Sequence, residues 1–275
     1  MSLRLTILGC GSSGGVPRIG GTNGINWGKC NPQNPKNRRR RCSILVESAT
    51  DGVFETGAAV TRVLVDTSPD IREQLLAASV PDLDAVLYTH DHADHMHGID
   101  DLRPIVLSRR AQLDVYADTA TTRSLRSRFG YCFTMPDGSI YPPILNLHEF
   151  ADDAALSFEG AGGTINATPI LLDHGPTHAL GFRFGDIAYT PDVSDIPEHS
   201  ISALEDLDVW IIDALRDQPH VSHFSVETAL EWIDRMKPRR AILTNLHVDL
   251  DYAELAARLP ANAEPAFDGL TVLTG

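Results

Sequence analysis

A short apolar run, Ala85-Val86-Leu87-Tyr88, breaks off at Thr89 and is followed by His90-Asp91-His92-Ala93-Asp94-His95. A run of that length bounded by polar residues reads as a buried strand, so these side chains project from a strand-end loop rather than from a helix. On a turning loop, residues two apart converge on one focus. That groups His90 with His92, while Asp94 and His95 address a neighbouring point. Imidazole and carboxylate together suit zinc, manganese or iron(II), and no nearby thiolate argues for a structural zinc knot. The plain alternative is a polar loop of surface histidines.

Six residues cannot complete two metal shells. Three further apolar runs lead to matching donors: Ile170-Leu171-Leu172 to His174, Ile187-Ala188-Tyr189-Thr190 to Asp192, and Ala241-Ile242-Leu243-Thr244 to His247. Such groups are rarely buried without partners, so packing alone does not explain several strands ending this way. Singly, each has an ordinary alternative, a turn or helix cap for Asp192 and an exposed imidazole for His247.

The rest of the chain bounds this reading. Its 275 residues, 43% hydrophobic and 22% charged, suit one globular domain or two tightly fused halves. No apolar run approaches the ~20 residues of a membrane span, and the apolar stretch near the N-terminus is too short for a signal-peptide core. A cytoplasmic address is the resulting expectation. A net charge of −14 disfavours a nucleic-acid polymer as partner. The run Arg38-Arg39-Arg40-Arg41 cuts against that charge and reads as a solvated loop before a strand, though one or two such charges suffice for a small phosphorylated ligand. Cys10, Cys30, Cys42 and Cys132 contain no CxxC pair and read as free thiols.

Along the chain, strands are expected at 3–9, 42–47, 61–65, 85–88, 113–116, 164–172, 181–184, 187–190, 209–212, 241–244 and 270–273. A hairpin around Asp51-Gly52 joins two of them. Helices are expected at 71–78, 119–128, 226–235 and 252–259. Residues 18–41, with Gly20-Gly21 and two Asn-Pro steps, read as a long surface loop. Residues 130–143 read equally as a loop over a site or a mere connection. Periodicity alone reaches "α/β or α+β, strand-rich" and no further.

The motif Thr89-His90-Asp91-His92-Ala93-Asp94-His95 resembles that of the metallo-β-lactamase superfamily. The opening 8–17, Leu64-Val65-Asp66, His174 before Gly181-Phe182, and Thr190-Pro191-Asp192 look like the branch of phosphoribosyl 1,2-cyclic phosphate phosphodiesterases. The resemblance implies a four-layer αββα sandwich over a single domain, 1–275. It also implies two divalent metals, zinc or manganese first and iron as a further option, and a homodimer. It assigns His90, His92 and His174 to the first metal, Asp94 and His95 to the second, and Asp192 to both. Asp66 would support the ligands from behind. Relatives usually place a histidine directly after the strand-end threonine, where this chain has Asn245. His247, two residues on, is the expected ligand, with an Asn ligand or an open position as alternatives. Those relatives often hold a structural zinc with cysteines in the first long loop. Here only Cys30 and Cys42 remain there, so no structural zinc is expected and the loop must be held by other contacts.

Two metals ~3.5–4 Å apart can bridge a hydroxide and clamp the oxygens of an in-line displacement at phosphorus. The leaving alkoxide then needs a proton. His223, in Ser222-His223-Phe224-Ser225, resembles the position of a catalytic histidine in the branch and suits a general acid. Its alternative is a residue capping the helix that follows. Asp213, ending Val209-Trp210-Ile211-Ile212, is expected to orient His223. Gly11, Ser12, Ser13 and Gly14 offer backbone N–H groups as an anion nest. His97 is a candidate support for the ligands, and His178 a local hydrogen-bonding residue. The expected function is therefore hydrolysis of a small cyclic or nucleotide-like phosphodiester. A tRNA 3′-end endonuclease, a glyoxalase II-like thioester or lactone hydrolase, and a non-enzymatic metal-binding module are the alternatives.

Overall fold

The computed structural model describes residues 2–55, 57–151 and 153–274. In chain order the strands begin β1 (Ser2–Gly9), β2 (Arg18–Ile19), β3 (Ile25–Asn26), β4 (Ser43–Ala49), β5 (Thr61–Val65), β6 (Ala85–Leu87), β7 (Leu113–Ala117) and β8 (Leu145–Glu149). They continue β9 (Leu156–Phe158), β10 (Ile165–His174), β11 (Thr177–Phe184), β12 (Ile187–Thr190), β13 (Val209–Asp213), β14 (Arg240–Thr244), β15 (Ala263–Pro265) and β16 (Thr271–Thr274). The α-helices are α1 (Ile71–Ala77), α2 (Ala93–Met96), α3 (Arg103–Arg109), α4 (Thr119–Phe133), α5 (Val226–Met236) and α6 (Tyr252–Arg258). The chain forms two compact units, one of residues 1–6, 43–166 and 271–275, the other of 7–42 and 167–270.

In the first unit the strands run in the order β16-β1-β4-β5-β6-β7-β8. β4 and β5 pair antiparallel around the expected hairpin, while β5, β6, β7 and β8 run parallel to one another. The second unit carries β15-β14-β13-β12-β11-β10. There β10, β11 and β12 are antiparallel and β12 through β15 parallel. Parallel strands are covered on both faces and so read as continuous apolar runs. Ala85–Leu87, Ile187–Thr190 and Val209–Asp213 are accordingly buried at every residue. Parallel pairing also brings the C-terminal ends of neighbouring strands to one edge, where open α/β sheets carry their sites. Asp66, Asp192 and Asn245 all lie just beyond such ends, and Asp213 closes its own strand.

In the second unit, β10, β13 and β14 pack with α5 and α6 around Trp210, which is fully buried and whose indole N–H donates to Thr190 Oγ1 at 3.0 Å. Ser225 caps α5 by accepting from Thr228 N, and Asp251 caps α6 by accepting from Ala253 N and Glu254 N. Every expected strand and helix is present, with ends shifted by a few residues. β8, β15 and α3 escape the sequence pattern because they are short and lack a clear apolar period. No helix among the described residues is long and apolar enough to cross a membrane.

Three expectations need correction. Asp94 and His95 sit on a helical turn, α2, which starts from an extended His92, so only His90 and His92 belong to the loop. The segment 18–41 holds the hairpin β2–β3 and is not loop throughout. The arginine run is not a solvated loop either. Arg39 is 1% exposed, and it donates to the Leu250 carbonyl at 2.8 Å, to the His247 carbonyl at 3.3 Å and to Asn37 Oδ1 at 3.2 Å. Carbonyl acceptors make burial of a guanidinium tolerable, and these pin the first long loop to residues 247–250. Asn37 Nδ2 extends the same network to Asp251 at 2.6 Å. All four cysteines are buried thiols.

Candidate metal centre

The first unit contributes a tightly braced histidine set. Asp66 ends β5 with a left-handed backbone, φ 65°, a conformation that Asp tolerates better than most residues. Its carboxylate accepts from Thr89 N at 2.8 Å, from the Thr89 hydroxyl at 2.8 Å and from His95 Nδ1–H at 2.7 Å. With the Thr89 proton committed to Asp66, Thr89 Oγ1 accepts from His90 Nδ1–H at 3.0 Å. Both imidazoles therefore keep Nε2 as the electron-pair donor. The His90 ring lies 4.5 Å from that of His92 and 4.3 Å from that of His95, and His95 Nε2 stands 3.6 Å from Asp94 Oδ2. Complete burial raises the pKa of Asp66, and the adjoining His95 opposes that rise.

This bracing is expected to matter. Asp66→Asn would place an amide N–H₂ against His95 Nδ1 or Thr89 Oγ1, reversing the hydrogen-bond direction that sets both tautomers. Loss of such a partner typically lowers metal affinity by about 10–100-fold. Competitive chelator titration checks this, and an unchanged affinity would remove Asp66 from the site.

The second unit carries a set of its own. His174 closes β10, and its Nδ1–H donates to the Ser222 carbonyl at 2.7 Å, again leaving Nε2, which lies 3.6 Å from Asp192 Oδ2. Gly175, at φ 61°, permits that approach, because a Cβ there would stand 2.9 Å from the Ser222 side chain. Asp192 is 2% exposed. The His223 ring centroid lies 4.8 Å from that of His174, and Nδ1–H donates to Asp213 Oδ2 at 2.8 Å. Burial pushes the Asp213 carboxyl up to about 7 against the pull of His223. His223 does not cap α5, since Ser225 does.

Of the two residues weighed after Thr244, Asn245 reaches the cluster. Its Nδ2 donates to the Pro191 carbonyl at 3.2 Å and to Asp192 Oδ1 at 3.3 Å, and lies 3.1 Å from His223 Nδ1. The φ of 60° at Asn245 turns the chain out of β14. His247 beyond it pairs with Asp249 Oδ2 at 2.9 Å. The glycine loop is also less free than expected. Gly11 N–H donates to the Arg40 carbonyl at 2.7 Å and Ser12 N–H to Leu246 at 3.4 Å. His97 is exposed, with its ring set edge-on to Phe129, and His178 pairs locally with Asp173 at 3.2 Å.

Thr89, the Ser222 carbonyl and Arg39 escape the sequence pattern. Only Thr89 carries a signal, its place directly before the motif. The donor set fits a divalent metal. It is borderline nitrogen and hard oxygen, and in His90, His95 and His174 a protein acceptor holds Nδ1–H, which fixes the tautomer that carries its lone pair on Nε2.

Comparisons with known proteins agree. Residues 61–245 match the model of the beta-lactamase superfamily domain. A crystal structure of a new diphosphatase from the PhnP family is 33% identical, with a TM-score of 0.84, over 100% of this chain and 98% of that one. Zn(2+)-bound PqqB from Methylobacterium extorquens shares the fold at 18% identity, with a TM-score of 0.72 over 98% and 99% of the two chains. An octanoyltransferase from Porphyromonas gingivalis is 34% identical over 98% of this chain, which spans only 51% of that relative's length.

Proposed function

The chain belongs to the metallo-β-lactamase superfamily, in its PhnP-like branch, and we propose that it is a phosphodiesterase acting on a small cyclic or nucleotide-like phosphodiester. That it is a metal-dependent hydrolase of this fold follows from the family and the donor chemistry. The bond cleaved is our own reading.

We assign two divalent metals to the ligand positions that the family resemblance gives, His90, His92, Asp94 and His95 in the first unit and His174 and Asp192 in the second. Asn245 takes the position where relatives carry a histidine. When bound, the metals supply Lewis acidity and an acidified water. The protein's own part is to fix ligand tautomers through Asp66, Thr89 and the Ser222 carbonyl. The observation that carries the phosphodiester reading is the His223–Asp213 pair at 2.8 Å, set 4.0 Å from Asp192 Oδ2. An alkoxide departing from phosphorus needs a proton, and an imidazole held at Nδ1 by a carboxylate keeps Nε2 to deliver one. The diphosphatase neighbour, which shares a third of its residues with this chain, supports phosphate chemistry over thioester or lactone cleavage.

Metal-loaded protein is expected to hydrolyse nucleoside cyclic phosphates or bis(p-nitrophenyl) phosphate faster than thioesters and lactones. Metal content measured on the same preparation completes the test. A preference for thioesters would overturn the reading, and a full metal load with no turnover would make the chain a binding module.

A further inference from the structure

We infer that Asn245 braces Asp192 through a hydrogen bond and is not itself a metal ligand. The second metal position then keeps two carboxylates and one imidazole, and its ion is held more loosely than the first. Zinc is also less favoured over manganese there. The inference rests on the two-metal reading above and deepens it. Asn245, Pro191, Asp192 and His223 all belong to the second unit.

The orientation of the Asn245 amide follows from its partners. The residue is 3% exposed and directly follows β14. One amide atom faces the Pro191 carbonyl at 3.2 Å and Asp192 Oδ1 at 3.3 Å. A carbonyl and a carboxylate only accept, so that atom is Nδ2, and both of its protons are committed. Two ligands that share a cation turn lone pairs toward it. An Asn245 that coordinated beside Asp192 would therefore present its oxygen on that side. It presents N–H₂ instead, and an amide nitrogen has no lone pair to give a metal. The same bond steadies the Asp192 carboxylate, whose other oxygen, Oδ2, lies 3.6 Å from His174 Nε2.

His247 does not make good the missing imidazole. The backbone after Asn245 is fixed at two successive amides. Leu246 N–H donates to the Cys10 carbonyl at 2.8 Å and His247 N–H to the Leu215 carbonyl at 2.9 Å. The His247 ring is engaged locally, with Nδ1 2.9 Å from Asp249 Oδ2. By the family resemblance the first metal takes His90, His92, His174 and Asp192, a set rich in imidazole. The second takes Asp94, His95 and Asp192. Fewer ligands bind more weakly, and a shift from imidazole to carboxylate narrows the advantage of zinc over manganese. A protein shell short of one ligand also leaves a coordination position to water or substrate.

The test counts metals and needs no substrate. Zinc-loaded wild type, dialysed against a mild chelator, is expected to keep a single zinc per chain by plasma emission spectroscopy. Added manganese should then fill the second position and give the electron paramagnetic resonance spectrum of an isolated Mn(II). Asn245→His supplies the imidazole that relatives carry, and histidine tolerates the φ of 60°. It should keep both zinc ions through the same dialysis. Asn245→Gly fits that φ without strain and removes the brace. Because Asp192 serves both metals, this variant should weaken the first zinc as well, by about 10–100-fold in competitive chelator titration. Loss of a mere ligand of the second metal would leave the first zinc untouched, and that result overturns the proposal. So does a wild type that keeps two zinc ions equally tightly, or an Asn245→His that keeps only one. A crystal structure of the metal-loaded wild type judges the question even where a variant fails to fold. Asn245 Oδ1 bonded to a metal refutes the brace, and Nδ2 still on Asp192 supports it. If the wild type cleaves no phosphodiester, the functional reading falls while these metal counts still decide the role of Asn245.

Discussion

Asp192→Ala is expected to lose most of its bound metal and to lower kcat/KM by roughly a thousandfold or more, since metal-ion charge stabilisation alone supplies several kcal/mol. Asp192 is 2% exposed and sits between two histidines, its Oδ2 3.6 Å from His174 Nε2 and 4.0 Å from His223 Nδ1. Its Oδ1 accepts from Asn245. A buried carboxylate flanked this way by imidazoles has no packing rationale, because an unpaired buried charge is costly. Removing it takes away the one anionic donor of the second unit's set. Atomic absorption on the purified variant reads the metal directly, and thermal melts with and without added zinc separate lost metal from lost fold. Full metal together with full activity in Asp192→Ala would end the two-metal assignment.

The second large effect concerns His223 and has a different signature. His223→Ala should keep its metal but lower kcat by about 10²–10⁴-fold on diesters with an alkoxide leaving group. On a p-nitrophenyl ester, whose leaving group needs no proton, the loss should be much smaller. The difference follows from the proton inventory. Asp213 Oδ2 holds the Nδ1 side of the ring at 2.8 Å, so Nε2 is the nitrogen that can serve the leaving oxygen. Asp213→Asn should show the same leaving-group dependence in weaker form, because the imidazole stays but its orientation is less secure. Equal losses on alkyl and p-nitrophenyl substrates would mean that His223 positions substrate rather than protonating it.

Much of the site is legible in the amino-acid sequence. His90, His92, Asp94 and His95 are close along the chain, and local spacing on a turn or a helical start is enough to group them. His174 and Asp192 stand out because apolar runs end at them, and β10, two antiparallel steps from β12, points the same way as β12 and so ends at the same edge. The choice between Asn245 and His247 is not legible. It turns on the left-handed φ of Asn245, which directs the following residues toward Asp249. Arg39 misleads for a related reason. A run of four arginines looks solvated until Leu250 and His247, more than two hundred residues on, bring carbonyls to it.

The nest expected at Gly11 to Gly14 shows the same limit, because the acceptors that take its amides come from Arg40 and Leu246. The opening motif could point to its ligand chemistry and its family, since those depend on residue type and on distances of a few residues, but not to the helical turn that carries Asp94 and His95. Which imidazole nitrogen is bonded to a protein acceptor and which side chain follows Thr244 into the cluster were decided only by the tertiary structure. Each depends on a hydrogen bond or a backbone turn set by a distant strand, and no local pattern of residues encodes such a partner.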